Sequence, residues 1–419
     1  MSEWKVFRLG DVVKIKHGFA FKGEYFSQLP TLDVLLTPGN FSIGGGFKAD
    51  KFKYYNNSYP KSYVLKAGDI IVTMTDLSKE GDTLGYSAKI PQHSGIRYLH
   101  NQRLGLLELI DNKFNLDFIY WLLRTRDYQQ FIVSSATGTT VKHTSPSRIC
   151  DYEFKAPVYK TQTAIAEILS SLDEKIELNN KINQELENLA QALFKRWFVD
   201  FDFPNENGDP YKSSGGEMVD SELGMIPNGW EVGNLNKISN LVNKTIKPFE
   251  NPSTYYSYYS LPEFDSGKIP SNELGENIRS SKFQVLENSI LVSKLNPRIP
   301  RVWTVIKPNH NSICSTEFLI LKPIDQEYFP FISSLCLSEK YIKSVQSKVS
   351  GTSSSHQRVN PKDIANYEMV IPPKYLIKQY YNTVFNSMNL VNDNRKESKK
   401  LANLRDTLLP KLISGDIKV

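Results

Sequence analysis

Cysteine is scarce in this chain of 419 residues. Cys150, Cys314 and Cys336 are an odd number, and no two stand at Cys-x-x-Cys spacing. That excludes a fully paired disulfide framework, and it points to a reducing cytoplasm without structural zinc. The six histidines are scattered and form no ligand cluster. No apolar run reaches the roughly 20 residues of a membrane span, and the opening Met1-Ser2-Glu3-Trp4-Lys5 lacks the apolar core of a signal peptide. No membrane partner is expected. A GxxxxGK[ST] phosphate loop is missing, which argues against ATP hydrolysis. The Asp/Asn-Pro-Pro-aromatic loop that holds the target amine of an amino-methyltransferase is missing too. Phe41-Ser42-Ile43-Gly44-Gly45-Gly46 is glycine-rich, but no convincing strand precedes it and no helix follows, so it reads as a flexible hairpin tip. Asp173-Glu174-Lys175 has the residue types of a nuclease metal centre. On a periodic helix it reads as a solvated charged edge. No catalytic residue, metal site or cofactor is therefore assigned to this chain.

What is present is a long period. Ile165, Leu169, Leu172, Ile176, Asn179, Asn183, Leu186, Ala190, Leu193 and Trp197 fall on one heptad a/d seam, uninterrupted by Gly or Pro. Shifted by 215 residues, Tyr380, Val384, Ser387, Val391, Asn394, Ser398, Leu401, Arg405, Leu408 and Leu412 take the same slots. Two unrelated amphipathic helices, each packed on its own domain, are the plainer reading. Further correspondences favour duplication. Trp4–Val12 matches Trp230–Ile238, Gly68–Thr73 matches Asn288–Ser293, and Leu104–Leu109 matches Phe318–Leu321 as a strand. Asn115 is placed to cap a helix bearing Phe118, Ile119, Leu122 and Leu123, whose counterpart spans roughly 329–349. Each half closes on an apolar strand ending at Pro157 or at Pro372-Pro373.

The expected fold is α+β: two similar globular domains joined by two long helices that form an antiparallel coiled coil, with a pseudo-two-fold internal repeat. Boundaries are set at 1–158 for the first domain, 159–200 for its helix, 201–227 for a turn-rich, exposed linker, 228–373 for the second domain and 374–419 for the second helical region. Antiparallel packing sets Asn179 and Asn183 opposite Asn394 and Ser398, and buried polar pairs of this kind fix register. The defining seam positions are Leu172, Ile176, Asn179, Leu186, Leu193, Val391, Asn394, Leu401 and Leu408. The seam from 165 to 197 is about 48 Å long at roughly 1.5 Å per residue, enough to hold two readers about one 34 Å turn of duplex apart.

Charge is unevenly spread. The net +6 divides into +5 for 1–158, −7 for 159–227, +3 for 228–373 and +5 for 374–419. Outside the acidic helix and linker the surface suits a polyanion, although pairing of the acidic with the basic helix accounts for part of the asymmetry. The candidate contacts lie on loops that follow the mid-domain helices. The first holds Gly138, Thr139, Thr140, Lys142, His143, Ser145 and Arg148. The second holds Gly351, Thr352, Ser353, Ser354, Ser355, His356, Gln357 and Arg358. Hydroxyls, amides beside glycine and cations suit phosphates, while Gln, Arg and Lys can reach base edges. An ordinary Ser/Thr surface loop is the bland alternative, and recurrence in both halves weighs against it. Lys294, Arg298 and Arg301 form a third basic loop.

Two stretches carry a family resemblance. One runs Leu193-Phe194-Lys195-Arg196-Trp197-Phe198-Val199-Asp200-Phe201 through Ser213-Ser214-Gly215-Gly216-Glu217-Met218 to Leu223-Gly224-Met225-Ile226-Pro227-Asn228-Gly229-Trp230. The other is the tail from Leu404-Arg405-Asp406 to Gly415-Asp416-Ile417. Asn101-Gln102-Arg103 and Ser315-Thr316-Glu317-Phe318 are similar to strings common in the recognition domains of the same family. Over essentially its whole length the chain resembles the specificity subunit of a type I restriction-modification enzyme. That resemblance implies a non-catalytic, cytoplasmic DNA-recognition subunit with two target recognition domains, each reading half of a split sequence in double-stranded DNA. It implies two modification subunits that methylate adenine with S-adenosylmethionine after flipping it out, and restriction subunits that use ATP and Mg. A two-headed scaffold that binds proteins is the alternative. Base-contacting residues cannot be carried over, because the recognition domains are the variable part of the family.

Overall fold

The computed structural model describes residues 4–78, 80–92, 95–350 and 357–419. The chain divides into two compact units, Met1–Lys175 with Leu401–Val419, and Ile176–Lys400. Each unit therefore contains one domain and part of both long helices.

In the first unit, Lys5–Arg8 pairs antiparallel with Glu153–Ala156, so the domain's first and last strands are zipped together. Between them lies a four-stranded antiparallel sheet in the order Val13–His17, Leu104–Leu109, Ile70–Thr73, Ser87–Lys89. Ile70–Thr73 is buried at all four positions, as its β-branched run predicts for an interior strand. A five-stranded sheet adjoins it, with Asp33–Leu35 and Arg97–Leu99 paired in parallel. Two short helices, Leu116–Leu122 and Arg126–Ser134, cover the antiparallel sheet. The Asn115 side chain caps the first by accepting from the Phe118 amide at 3.0 Å.

The second unit repeats this plan. Glu231–Asn234 zips to Glu368–Ile371. The four-stranded sheet runs Ser239–Val242, Phe318–Pro323, Ser289–Ser293, Val302–Val305, and the five-stranded sheet again has one parallel pair, Tyr255–Tyr259 with Ser312–Cys314. The helical stretch expected at 329–349 is two helices, Tyr328–Leu337 and Glu339–Ser347. Ser338 breaks it, its hydroxyl capping the second piece through the Tyr341 amide. Thr125 performs the same break in the first unit. The described chain is thus mixed helix and sheet, in two similar domains joined by long helices.

The first long helix spans Tyr159–Phe194 and continues through a π turn, Lys195–Val199. The second spans Lys374–Ser414 and stops at Gly415, which has a φ of 83° suited to glycine after a helix. Every position of both seams is buried or half-buried. Within the second unit, Asn183 accepts from the Asn394 amide at 2.9 Å. Asn179 donates to the Ser398 hydroxyl at 3.4 Å and to Glu397 at 2.7 Å. Arg395 pairs with Glu187 at 2.5 Å, and the Tyr380 hydroxyl donates to the Ala190 carbonyl at 3.1 Å. Ascending positions on one helix meet descending positions on the other, so they run antiparallel. In the first unit the opposite ends of the helices meet in the same sense, with Leu409, Leu412 and Ile413 in one core with Ile165, Ala166 and Leu169.

The linker is exposed at its turns, as expected, but not throughout. Phe203 and Ile226 are buried, and the Phe203 and Tyr211 rings stack at 4.6 Å. Asp202 caps the returning turn through the Ser213 amide and hydroxyl. Turn-forming composition hid two aromatics that need burial. The hub is Phe198, whose ring lies 4.8 to 6.1 Å from those of Phe194, Trp197, Trp230, Phe331 and Tyr380. Phe198→Ala is expected to destabilise this unit by about 3–5 kcal/mol through the cavity it leaves. Urea unfolding should show a lower midpoint with an unchanged slope.

Candidate nucleic-acid interface

The first candidate loop is the tip of a hairpin, and the second candidate stretch begins and ends at a strand pair placed in the same way. In the first unit Thr137 and His143 exchange backbone hydrogen bonds of 3.0 and 2.8 Å, enclosing the tip 138–142. Lys142–His143 then pairs antiparallel with Thr75–Asp76, which follows the central strand of the sheet. In the second unit Val349–Ser350 pairs with Arg358–Val359, and Arg358 bridges to Leu295, which likewise follows the central strand. The Thr144 amide donates to the Met74 carbonyl at 3.0 Å, and its counterpart Val359 donates to Lys294 at 3.1 Å. The central strand of each sheet thus fixes where its hairpin projects.

Gly138 is required by its geometry. Its φ is 94°, and a Cβ there would stand 2.0 Å from the Val141 carbonyl oxygen. Thr139 and Thr140 are exposed, Lys142 is half-buried, and His143 is exposed with its Nδ1 3.2 Å from the Thr75 hydroxyl. Ser145 caps the short helix Pro146–Cys150 by accepting from the Arg148 amide, and the Arg148 side chain faces solvent. Gly351, Thr352, Ser353, Ser354, Ser355 and His356 lie outside the described residues. The Gln357 carbonyl accepts from Asn296 at 2.9 Å. Arg358 is engaged by Glu317 through two hydrogen bonds of 2.8 and 3.1 Å, and this guanidinium holds the Glu317 carboxyl below its ordinary range. Arg301 is held by Asp265 in a two-pronged pair, both distances 2.7 Å. Arg298 is exposed and Lys294 half-buried. Arg301 and Arg358 must therefore share or release a carboxylate before meeting a phosphate, whereas Arg148 and Arg298 already face outward.

Four features escaped the reading of the sequence. Asp76 is buried, and burial alone raises a carboxyl pKa. Here the hydrogen bonds from the Ser78 amide and from the Thr83 amide and hydroxyl outweigh burial and lower it. Asp76 thereby closes the loop beside the first hairpin. Leu77 on that loop and Ile299 on its counterpart are exposed apolar side chains. Asp173, read as part of a solvated edge, is only 18% exposed and pairs with Arg124 and Arg405. The glycine-rich turn is pinned rather than free, since the Gly44 carbonyl accepts from Arg124 at 3.0 Å and the Gly46 amide donates to Ser87 at 2.8 Å. The partners of Asp76 are local, but those of Asp173 and of the glycine-rich turn are distant in sequence, so the sequence offered little signal for them.

Burial pushes the Cys314 and Cys336 thiols up to about 12, so neither is a nucleophile at neutral pH. Among the described residues no group of three or more His, Cys, Asp or Glu side chains could hold a metal ion, and no helix is long and apolar enough to cross a membrane.

Comparison with known proteins bears on what these hairpins serve. The profile of the family described as type I restriction modification DNA specificity domain matches residues 1–188. The type I restriction enzyme MjaIX specificity subunit of Methanocaldococcus jannaschii is 26% identical over 318 residues, 72% of this chain and 69% of that protein. The HindI specificity subunit of Haemophilus influenzae is 25% identical over an alignment covering 100% of both chains. The crystal structure of a type I restriction-modification system S subunit from M. genitalium shares the fold, with a TM-score of 0.58 at 18% identity over 98% of this chain and 96% of that one. The chain is thus similar to that family's profile over residues 1–188, and to specificity subunits of type I restriction enzymes over most or all of its length.

Proposed function

We infer that this chain is the DNA sequence-recognition subunit of a type I restriction-modification complex. It binds a split target, one half per domain. The antiparallel helices set the unspecified gap, and partner subunits act at the site it selects. The observation that carries this reading is the duplicated hairpin. Similar backbone contacts from equivalent strands anchor, in each domain, the segment whose sequence carries Gly-Thr, in a chain similar to specificity subunits. Backbone amides, hydroxyls and the cations Lys142, Arg148, Lys294 and Arg298 hold phosphates and set register, and a few tip side chains read base edges.

Two modification subunits dock on the helical regions and methylate adenine with S-adenosylmethionine. Restriction subunits supply ATP- and Mg-dependent cleavage. This chain contributes no cofactor and no reacting group. Its own work is positional: it selects the two half-sites and sets the gap between them, so that the chemistry falls on one adenine per half.

Lys142→Ala should weaken duplex binding by the assembled complex about equally across sequences. It should also reduce the slope of log affinity against log salt by about one. An unchanged slope would show that the first tip does not sit on the phosphate backbone.

A further inference from the structure

The internal repeat is broken where each domain sits on the helices. In the first unit, Arg124 is 4% exposed and lies over the Trp121 ring at 4.4 Å. It donates to the Asp173 carboxylate at 2.5 Å, to the Tyr120 hydroxyl at 2.7 Å and to the Gly44 carbonyl at 3.0 Å. The other Asp173 oxygen is taken by Arg405 of the second helix. One carboxylate thus ties the domain's helical layer to both long helices. Trp121 adds a hydrogen bond of 3.0 Å from its indole N–H to Ser170.

The duplication shift of 213–215 residues carries Tyr120, Trp121, Arg124, Asp173 and Arg405 onto Ser333, Ser334, Leu337, Met388 and Ala190. All five line one cavity of about 70 Å³ in the second unit. Where the first domain has three charged and two large aromatic side chains, the second has small or apolar ones and a hollow. A buried charge triad tolerates little displacement, because any shift strips hydrogen bonds from a desolvated guanidinium. Ser333 and Ser334 hydrogen-bond to the Thr304 hydroxyl at 2.8 Å and the Tyr380 hydroxyl at 2.9 Å, neutral bonds that cost less to strain than those of a desolvated charge, and Met388 is adaptable.

We propose that Asp173 is a positioning residue. It locks the first domain to the helix pair and thereby enforces the gap between the half-sites, while the second domain keeps an adjustable seat over its hollow. This rests on the spacing role inferred above and adds to it. The ruler's accuracy depends on the joint at its first end as well as on helix length.

The test is adenine methylation by the assembled complex on duplexes carrying both half-sites at the native gap and at gaps one base pair shorter or longer. Asp173→Asn keeps the shape and removes the charge. Modification at the wrong gaps, relative to the native gap, should rise about tenfold, with half-site preferences unchanged and Asp173→Glu restoring part of the discrimination. Unchanged gap discrimination in Asp173→Asn overturns the proposal, even if its melting temperature falls, because a merely structural residue would do just that. Loosened half-site preference overturns it as well. Should Asp173→Asn fail to fold, Ala190→Leu, which fills the hollow, is expected to sharpen gap discrimination, and no sharpening counts against the idea. If the wild-type complex modifies no split motif at all, it is the spacing role itself that fails, a result distinct from an unresponsive variant.

Discussion

Inserting one heptad into each long helix, after Asn183 in the first and before Asn394 in the second, is expected to widen the gap in the target by about three base pairs. Both half-site sequences should stay the same. The insertion points face each other, since Asn183 and Asn394 share a hydrogen bond of 2.9 Å, so matched insertions keep the seam in register. Seven residues add roughly 10 Å of helix, against about 3.4 Å per base pair of duplex. The candidate contact segments are untouched, because each is anchored to its own sheet through Thr75–Asp76 or Leu295. Sequencing of methylated adenines after expression with the partner subunits reads the outcome. A change in the half-site sequences at constant gap would mean that the helices, and not the domains, read the bases.

The second large effect is expected at Gly138. Gly138→Ala places a methyl group 2.0 Å from the Val141 carbonyl oxygen, at a φ of 94° that alanine resists. The hairpin between Thr137 and His143 cannot close, and Thr139, Thr140 and Lys142 lose their positions. Binding to the full target should fall on the order of 100-fold. Thermal stability should change little, because the tip is exposed and contributes nothing to the core beneath it. Gly208→Ala is the control. Gly208 also has a positive φ, 85°, but open space around it and no place in either hairpin, so target binding should be preserved. Titration of labelled duplex with both variants separates loss of the tip from a general glycine effect.

What could be read in the sequence, and what could not, follows from the range of the interactions. Heptad spacing is local, so the seams, the opposed asparagines and the antiparallel sense were legible. Matched strings such as Gly68–Thr73 and Asn288–Ser293 were enough to expose the duplication, and the structure shows these two as equivalent central strands. The first Gly-Thr loop was also visible, because glycine followed by hydroxyls is a local turn signal. Its anchor was not, since Thr75–Asp76 lies 66 residues from Lys142–His143 in register. The break at Ser338 could have been found, as a serine before Glu339 is an N-cap signature within an otherwise apolar stretch. The role of Asp173 had no sequence signature. A carboxylate on a charged helix face looks solvated until the arginines of two distant segments, Arg124 and Arg405, close over it.

The charge asymmetry of the sequence has a partial structural counterpart. Acidic residues of the first helix meet basic residues of the second at Glu187–Arg395 and Asp173–Arg405. That pairing uses part of the basic excess of the tail and leaves the positive balance of the two domains available to a polyanion.

The most direct test of the account is to purify the chain with its modification partners and expose the complex to a library of random-sequence duplexes and S-adenosylmethionine, then sequence the modified adenines. The account predicts a split motif with one fixed gap and a modified adenine in each half. An absence of modification, together with duplex binding no tighter than that of a protein of equal charge, would contradict it and favour a two-headed scaffold for proteins.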